Sequence, residues 1–339
     1  MDIFIAGFGT VGQGIAEVIK ERAAWFERRF GEHVRIVGAL DSSSFEFSND
    51  GLDPELLIQR KKMKGRVGTN ELKDESSYII RRFNYDVLVE VTPTNILTGE
   101  PGYSNILTAL ESGKDVVTSN KGPLALKFSE LIKTAEKNQV QLRFEATVGG
   151  ATPVINLSRE ILMGEKINSI RGILNGTCNF ILHRMREEGL PFAQALKEAQ
   201  EIGIAERDPT YDIEGVDSAC KAAILANAIF NLNKTYEDVK RRGISGITED
   251  AIALAAEERK VIRLIAEISS KRLEVSPRLV PVGHPLSIGG TLNIIQLSTD
   301  LAGEITVVGR GAGKFETASA ILSDLVALMK EKSTGGKSS

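Results

Sequence analysis

The sequence predicts an α/β protein: a parallel sheet covered on both faces, followed by an α+β region built on a mixed sheet. Three observations carry this. The first half of the 339 residues alternates apolar strands with amphipathic helices, the pattern of a parallel, doubly covered sheet. The stretch GFGTVG, with Gly7, Gly9 and Gly12, stands where the first strand hands over to a helix. From about residue 151 the alternation gives way to strands and helices in mixed order.

In chain order, DIFIAG reads as a strand, 11 to 29 as a helix, and VRIVGAL as a strand followed by a loop rich in polar residues. DVLVEVTP, a helix near 103 to 112, DVVTSN and a helix near 127 to 138 follow, and QVQLRFEATVGG supplies another strand ending in a glycine pair. The domain crossing is placed there. The first domain spans 1–148 and is completed by 308–332, the second spans 149–307, and the polar tail 333–339 is expected to be disordered. In the second domain KINSIRGIL and VSPRLVPV read as strands, with helices at PFAQALKEAQEI and DSACKAAILANAIF. Phe192, Ala195, Leu196, Ala199 and Ile202 share one helical face, and Gly203 ends that helix. Thr248 to Ile268 reads as one long helix, then TLNIIQLS and EITVVG as strands of the same mixed sheet.

Composition narrows the chemistry. With 42 Lys and Arg against 45 Asp and Glu, the formal charge of -3 gives no general pull toward nucleic acid or anionic lipid. No apolar run reaches the roughly 18 to 20 residues a membrane span needs. The start MDIFIAGFG has no basic n-region or cleavage site, and Cys178 and Cys220 lack metal-site spacing, so a reducing cytoplasm is expected. His33, His183 and His284 are too dispersed for a histidine-built metal site. Acids and lysines must carry any chemistry.

The glycine motif, between a strand and a helix, makes the first domain Rossmann-type and nucleotide-binding. Gly7 turns tightly, Gly9 lets the backbone of Phe8 to Val11, Thr10 included, approach a pyrophosphate, and Gly12 packs helix on strand. Asp41 ends the second strand, where an acid holds the ribose 2′-OH of NAD; the basic run Arg60, Lys61, Lys62, Lys64 and Arg66 suits the 2′-phosphate of NADP instead. Both coenzymes stay open. Thr92 and Pro93, and Asn120 and Lys121, end later strands at the crevice where doubly wound sheets bind ligands.

The densest signal is AERDPTYDIEGVDSACK. Glu206, Asp208, Asp212, Glu214 and Asp217 crowd into it, and its only lysine is Lys221. Asp217 and Lys221 stand at i, i+4 on one face of a largely apolar helix, so burial would demand that they be paired.

With its surroundings, this stretch resembles the signature of homoserine dehydrogenases, from Ala199 to Lys221. GFGTVG, TSNKGPLA, FEATVGGATP, RGILNGTCNFIL and GRGAGKFETASAILSDL resemble blocks of that family in the same order, over nearly the whole chain. The resemblance implies NAD(P)-dependent interconversion of L-homoserine and L-aspartate 4-semialdehyde by a homodimer. It implies Glu206, Asp212, Asn175, Gly176 and Thr177 as substrate-binding residues, Asp217 as an orienting group, and Lys221 and Lys121 as candidates for proton transfer. It further implies contacts of Gly311 and Gly313 with the coenzyme. A structural sodium ion would be held by Glu145 and the carbonyls of Val148, Gly150 and Thr152, oxygen donors that suit a hard cation. Asn175 and Asn179 also read as helix caps. The short chain resembles the monofunctional form, and no ACT or aspartate kinase domain is expected. Two other functions are weighed: a semialdehyde dehydrogenase with Cys178 as nucleophile, and a nucleotide sensor without turnover.

Overall fold

The computed structural model describes residues 1–335, which form two compact units, 1–147 with the C-terminal segment from Gly313, and Val148–Ala312. The first unit begins β1 (Asp2–Ala6), α1 (Thr10–Phe30), β2 (Arg35–Leu40), β3 (Ser44–Phe47), α2 (Pro54–Lys64), β4 (Asn70–Glu71) and α3 (Ser76–Arg82). It continues through β5 (Val87–Glu90), α4 (Gly102–Glu111), β6 (Asp115–Thr118), α5 (Lys121–Lys137) and β7 (Leu142–Arg143). The second unit holds α6 (Val154–Asn156), β8 (Ile167–Ile173), α7 (Gly176–Glu188), α8 (Phe192–Glu201), α9 (Thr210–Ile213) and α10 (Val216–Phe230). After these come β9 (Lys240–Arg241), α11 (Glu249–Glu257), β10 (Lys260–Ile268), β11 (Leu273–Pro281), β12 (Leu292–Thr299) and β13 (Glu304–Arg310). The last helix, α12 (Lys314–Gly335), returns to the first unit.

In the first unit the sheet order is β4-β3-β2-β1-β5-β6-β7, with the strands from β2 to β7 parallel. The chain winds one way from β1 to β2 and the other way from β5 onward, so the carboxyl ends of β1 and β5 flank the switch point where such sheets bind ligands. Helices α1 and α12 close one face, packing Ile15 and Ile19 with Ala318, Ile321 and Leu325 in one buried cluster. The second unit carries the order β13-β12-β8-β10-β11-β9, antiparallel except for the short pairing of β9 with β11.

Several elements differ from the sequence reading. The expected long helix from Thr248 to Ile268 is a helix that stops at Glu257 followed by the strand β10 in the middle of its sheet. Arg259 takes a left-handed φ of 56° and breaks the helix, and Val261, Ile262, Leu264, Ile265 and Ile268 form a branched apolar run buried on both faces. Such a run has no period of its own, so only the break reveals its type. The polar stretch after β2 is structured: β3 folds back antiparallel on β2, and Asp53 caps α2 by accepting from the Glu55 N–H at 2.8 Å, with Pro54 at the first helical position.

Helix α5 starts at Lys121 rather than near 127 because Asn120 caps it; Lys127, with φ −131°, kinks it at the position where the sequence predicts its start. Of the expected strand 139 to 150 only Leu142–Arg143 pairs, and Glu145–Thr147 form a 3-10 turn. Strand β13 stays whole in the second sheet, so the chain returns at Gly313 instead of 308. The tail expected to be disordered from 333 has helical backbone to Gly335, and residues 336–339 lie outside the described residues. Among the described residues no helix is long and apolar enough to cross a membrane.

Replacing Ile265 by Ala, fully buried in β10, should cost about 2 to 5 kcal/mol in denaturant unfolding. A helix ending at Ile268 would instead leave that position open to smaller losses.

Candidate active site

At the switch point Gly7 has φ 100°, and a Cβ there would fall 2.5 Å from the Val91 carbonyl oxygen; one on Gly12 would fall 2.2 Å from the Gly7 oxygen. These two glycines therefore let β1, α1 and the β5 loop meet. At Gly9, the N-cap of α1, a Cβ would meet nothing within 4 Å, and no side chain caps the helix. The first N–H groups of the helix are thus left without a side-chain cap, which suits a pyrophosphate. Phe8 is buried in the core and offers only its backbone, Thr10 is exposed, and Val11 packs against the core. Beyond β5, Thr92 is half-buried and Pro93 exposed.

Asp41 is occupied. Its Oδ1 accepts from the N–H and hydroxyl of both Ser43 and Ser44, and its Oδ2 accepts from Lys61 Nζ at 2.7 Å and Val67 N at 2.8 Å. Burial raises this carboxyl, but Lys61 and the surrounding donors outweigh it and hold it at about 2. The carboxylate that was to meet a ribose is thus the latch of the β2–β3 turn, and Lys61 and Arg60, which pairs with Glu46, leave the basic run for internal ion pairs. Lys62, Lys64 and Arg66 remain exposed.

In the second unit the acidic stretch resolves into distinct jobs. Asp208 turns the chain into α9 by accepting from the Thr210 N–H and hydroxyl at 3.1 and 2.6 Å. Asp212 on α9 and Asp217 on α10 converge on the Asn175 amide, whose Nδ2 donates to Asp212 Oδ1 at 2.6 Å and to Asp217 Oδ2 at 3.0 Å. An amide nitrogen has two protons, so Asn175 spends one on each acid. Its Oδ1 accepts from Cys178 N at 2.8 Å, so the same residue caps α7; the cap and site readings both hold. Lys221, only 8% exposed, donates to Asp217 Oδ2 at 2.7 Å and to the Leu174 carbonyl at 2.6 Å. Burial first, then repulsion from Asp217, pushes the Asp212 carboxyl above the usual carboxylate range. A clustered pair of acids, one amide and one ammonium at the junction of α7, α9 and α10 suits a ligand with both amine and hydroxyl groups.

The comparisons with known proteins agree with this chemistry. The family profile described as "Homoserine dehydrogenase, NAD binding domain" matches residues 7–145, and that described as "Homoserine dehydrogenase" matches 153–326. The homoserine dehydrogenase of Methanocaldococcus jannaschii is 50% identical over 329 residues, covering 96% of this chain and 98% of that one.

The chain belongs to the homoserine dehydrogenase family.

An NAD(+)-dependent homoserine dehydrogenase of Pseudomonas canavaninivorans is 40% identical, covering 95% of this chain and 94% of its own length. Among solved structures, a putative homoserine dehydrogenase from Archaeoglobus fulgidus has a TM-score of 0.91 at 47% identity, covering 97% of this chain and 99% of that one. A hyperthermophilic archaeal homoserine dehydrogenase in complex with NADPH has a TM-score of 0.83 at 31% identity, covering 96% of each chain. As a homoserine dehydrogenase the chain is an NAD(P)-dependent oxidoreductase of amino-acid biosynthesis, with a Rossmann-type domain and a catalytic domain.

Of the other residues the family resemblance pointed to, Thr177 is buried beside the acids and donates to the Ile204 carbonyl at 3.2 Å, and Gly176 opens α7 against Thr291. Glu206 is exposed on the loop before α9 and stands outside the hydrogen bonds that join Asn175, Asp212, Asp217 and Lys221. Asn120 is buried, caps α5 and donates to Thr92, which leaves Lys121 as the first residue of that helix. Gly311 packs on Asn293, and Gly313 directly precedes α12. Glu145 is buried in the first unit, whereas Val148, Gly150 and Thr152 begin the second; the Thr152 carbonyl accepts from Val154 N at 2.9 Å. One carboxylate with backbone carbonyls is still a donor set for a hard cation. Among the described residues no three His, Cys, Asp or Glu side chains gather to hold a metal.

Two residues of these sites went unnoticed in the sequence. Asn293 Nδ2 donates at 3.3 Å to the same Leu174 carbonyl that Lys221 uses, and the strand LNIIQLST, which also carries Gln296, Ser298 and Thr299, gives no signal that singles it out. Glu90 lies fully buried at the end of β5. Cys178 has no exposure, donates to the Asp212 carbonyl, and burial pushes its thiol well above the ordinary range, which removes the nucleophile that the semialdehyde dehydrogenase reading needs.

Asp41→Asn tests the latch. Because the folded carboxyl sits near 2, below its unfolded value, it contributes about 2 kcal/mol that is present above pH ~4 and lost as pH falls through 2. Denaturant curves should show the variant weaker at pH 7 and the gap closing toward pH 2.

Proposed function

We propose that this chain interconverts L-homoserine and L-aspartate 4-semialdehyde with the following division of labour. Asp212 and Asp217 hold and orient the polar groups of the amino-acid substrate, Asn175 fixes the spacing of the two acids, and Gly176, Thr177 and Glu206 complete the binding of its polar ends. The observation that carries this reading is Lys221: its ammonium has three protons, and the hydrogen bonds to Asp217 and Leu174 use two. The third is available to the substrate oxygen, so toward homoserine Lys221 is the proton source for the semialdehyde oxygen. Lys121, opening α5, is a second amine for the same proton, and Asp217 keeps Lys221 in place. The nicotinamide, when bound, supplies or takes the hydride.

Gly7 to Gly12, Thr92, Pro93, Asn120, Gly311 and Gly313 are proposed as coenzyme contacts, largely through backbone. With Asp41 latched, the exposed Lys62, Lys64 and Arg66 are the charges left to bias the choice between NAD and NADP. A sodium ion on Glu145 and the carbonyls of Val148, Gly150 and Thr152 would be structural. A homodimer, typical of the family, and a cytoplasmic location belong to the same proposal; the two buried cysteines, kept as thiols, fit a reducing compartment.

Purified protein given L-homoserine with NAD or NADP should form reduced nicotinamide. Lys221→Ala should lower kcat by about 10²- to 10⁴-fold while coenzyme binding persists. Turnover that survives this substitution would remove Lys221 from the chemistry, and no turnover by the parent chain would remove the function.

A further inference from the structure

Glu90 ends β5 beside the ligand crevice and is 0% exposed. Its Oε1 accepts from Thr92 N at 3.1 Å and lies in a short hydrogen bond with the Thr92 hydroxyl. Its Oε2 lies 3.3 Å from Thr118 Oγ1, and the Asn120 side chain also hydrogen-bonds to the carboxyl. Thr118 closes the ring: its hydroxyl donates to the Glu90 backbone carbonyl and accepts from Asn120 N, both at 2.9 Å. Asn120 in turn donates to the Thr92 carbonyl and hydroxyl, and its Oδ1 accepts from Gly122 N in the first turn of α5.

All these contacts are hydroxyls, amides and backbone groups, and no salt bridge joins Glu90 to a cation among the described residues. Burial pushes the carboxyl up to about 7. A buried acid without a cation is a costly way to join two strand ends, since an apolar side chain would pack there without that cost. What the carboxyl adds is a rigid pair of acceptors, one for the segment after β5 and one for the segment after β6. Both segments carry residues assigned above to coenzyme or proton transfer.

We infer that Glu90 is a positioning residue for the reaction: through Thr92, Thr118 and Asn120 it fixes the register at which Lys121 begins α5. The inference rests on the role proposed for Lys121. Misplacing a catalytic group by about 1 Å costs up to roughly 10²-fold in rate, and the hydrogen-bonded ring is what holds this group's helix to its cap. Thr92 is held on its own side by the sheet through Val91 N, so the coenzyme contact is less dependent on Glu90 than Lys121 is.

The test uses the full chain with four forms: parent, E90A, E90Q and T118V. E90A should lower kcat about 10- to 100-fold while coenzyme Kd, read by nicotinamide fluorescence, changes by less than about threefold and Tm does not fall. E90Q keeps the shape and one of the two acceptors and should recover part of the lost kcat. If E90A does not fold, T118V carries the test, because it removes the bridge through the Thr118 hydroxyl between Glu90 and Asn120 with little change in side-chain shape, and it should lower kcat several-fold. Parent-like kcat in E90A, or in T118V where E90A is unfolded, would overturn the inference, as would a loss that tracks a fall in Tm and that E90Q does not relieve. An inactive parent chain marks failure of the proposed function instead.

Discussion

The structure depends on a buried ammonium having partners. Lys221 lies on a helix whose neighbours Ala219, Cys220, Ala222, Ala223, Ile224 and Leu225 are all buried, so its charge is carried into the core of the second unit. Breaking a buried pair by removing one partner costs about 3 to 5 kcal/mol. Asp217 and the Leu174 carbonyl meet that demand, and both are fixed by what surrounds them. Leu174 follows β8, so the carbonyl is set by the sheet; Asp217 is set by Asn175, which also caps α7 and holds Asp212. The strand end, the helix start and the two acids are therefore one arrangement.

The first unit solves a different problem with the same economy. A doubly wound sheet leaves its opening where β1 and β5 diverge, and the loops there must stay close without filling the gap. Gly7 and Gly12 achieve the closeness, and Gly9 starts α1 without a side-chain cap on its first donors. On the β2 side, Asp41 is consumed in holding a turn. On the β5 side, Glu90 is consumed in joining two strand ends. Both are carboxylates at strand termini, which is where acids meet ribose in many nucleotide-binding sheets, and both instead face inward to protein donors.

Much of this was legible in the sequence, for identifiable reasons. GFGTVG and the i, i+4 spacing of Asp217 and Lys221 are local patterns, and local geometry alone brings their atoms together. The meeting of Asn175 with Asp212 and Asp217 was suggested only by resemblance, because those residues come from three separate segments. The fate of Asp41 was illegible: the spacing placed it at a strand end, but Lys61 and Val67 reach it from a segment that looked like a polar loop and folds as β3 and α2. Strand β10 was misread because a run buried on both faces carries no period, and Glu90 was missed because one acid at the end of VLVE gives no pattern at all.

The central claim is that Asn175 and Asp217 act as one unit in holding Lys221 and substrate. A double-mutant cycle on kcat/KM for homoserine, with N175A, D217N and the combined variant, tests it most directly. If they are one unit, the double variant loses about as much as the worse single variant. If the two losses multiply, the groups act independently and the account of the site is wrong.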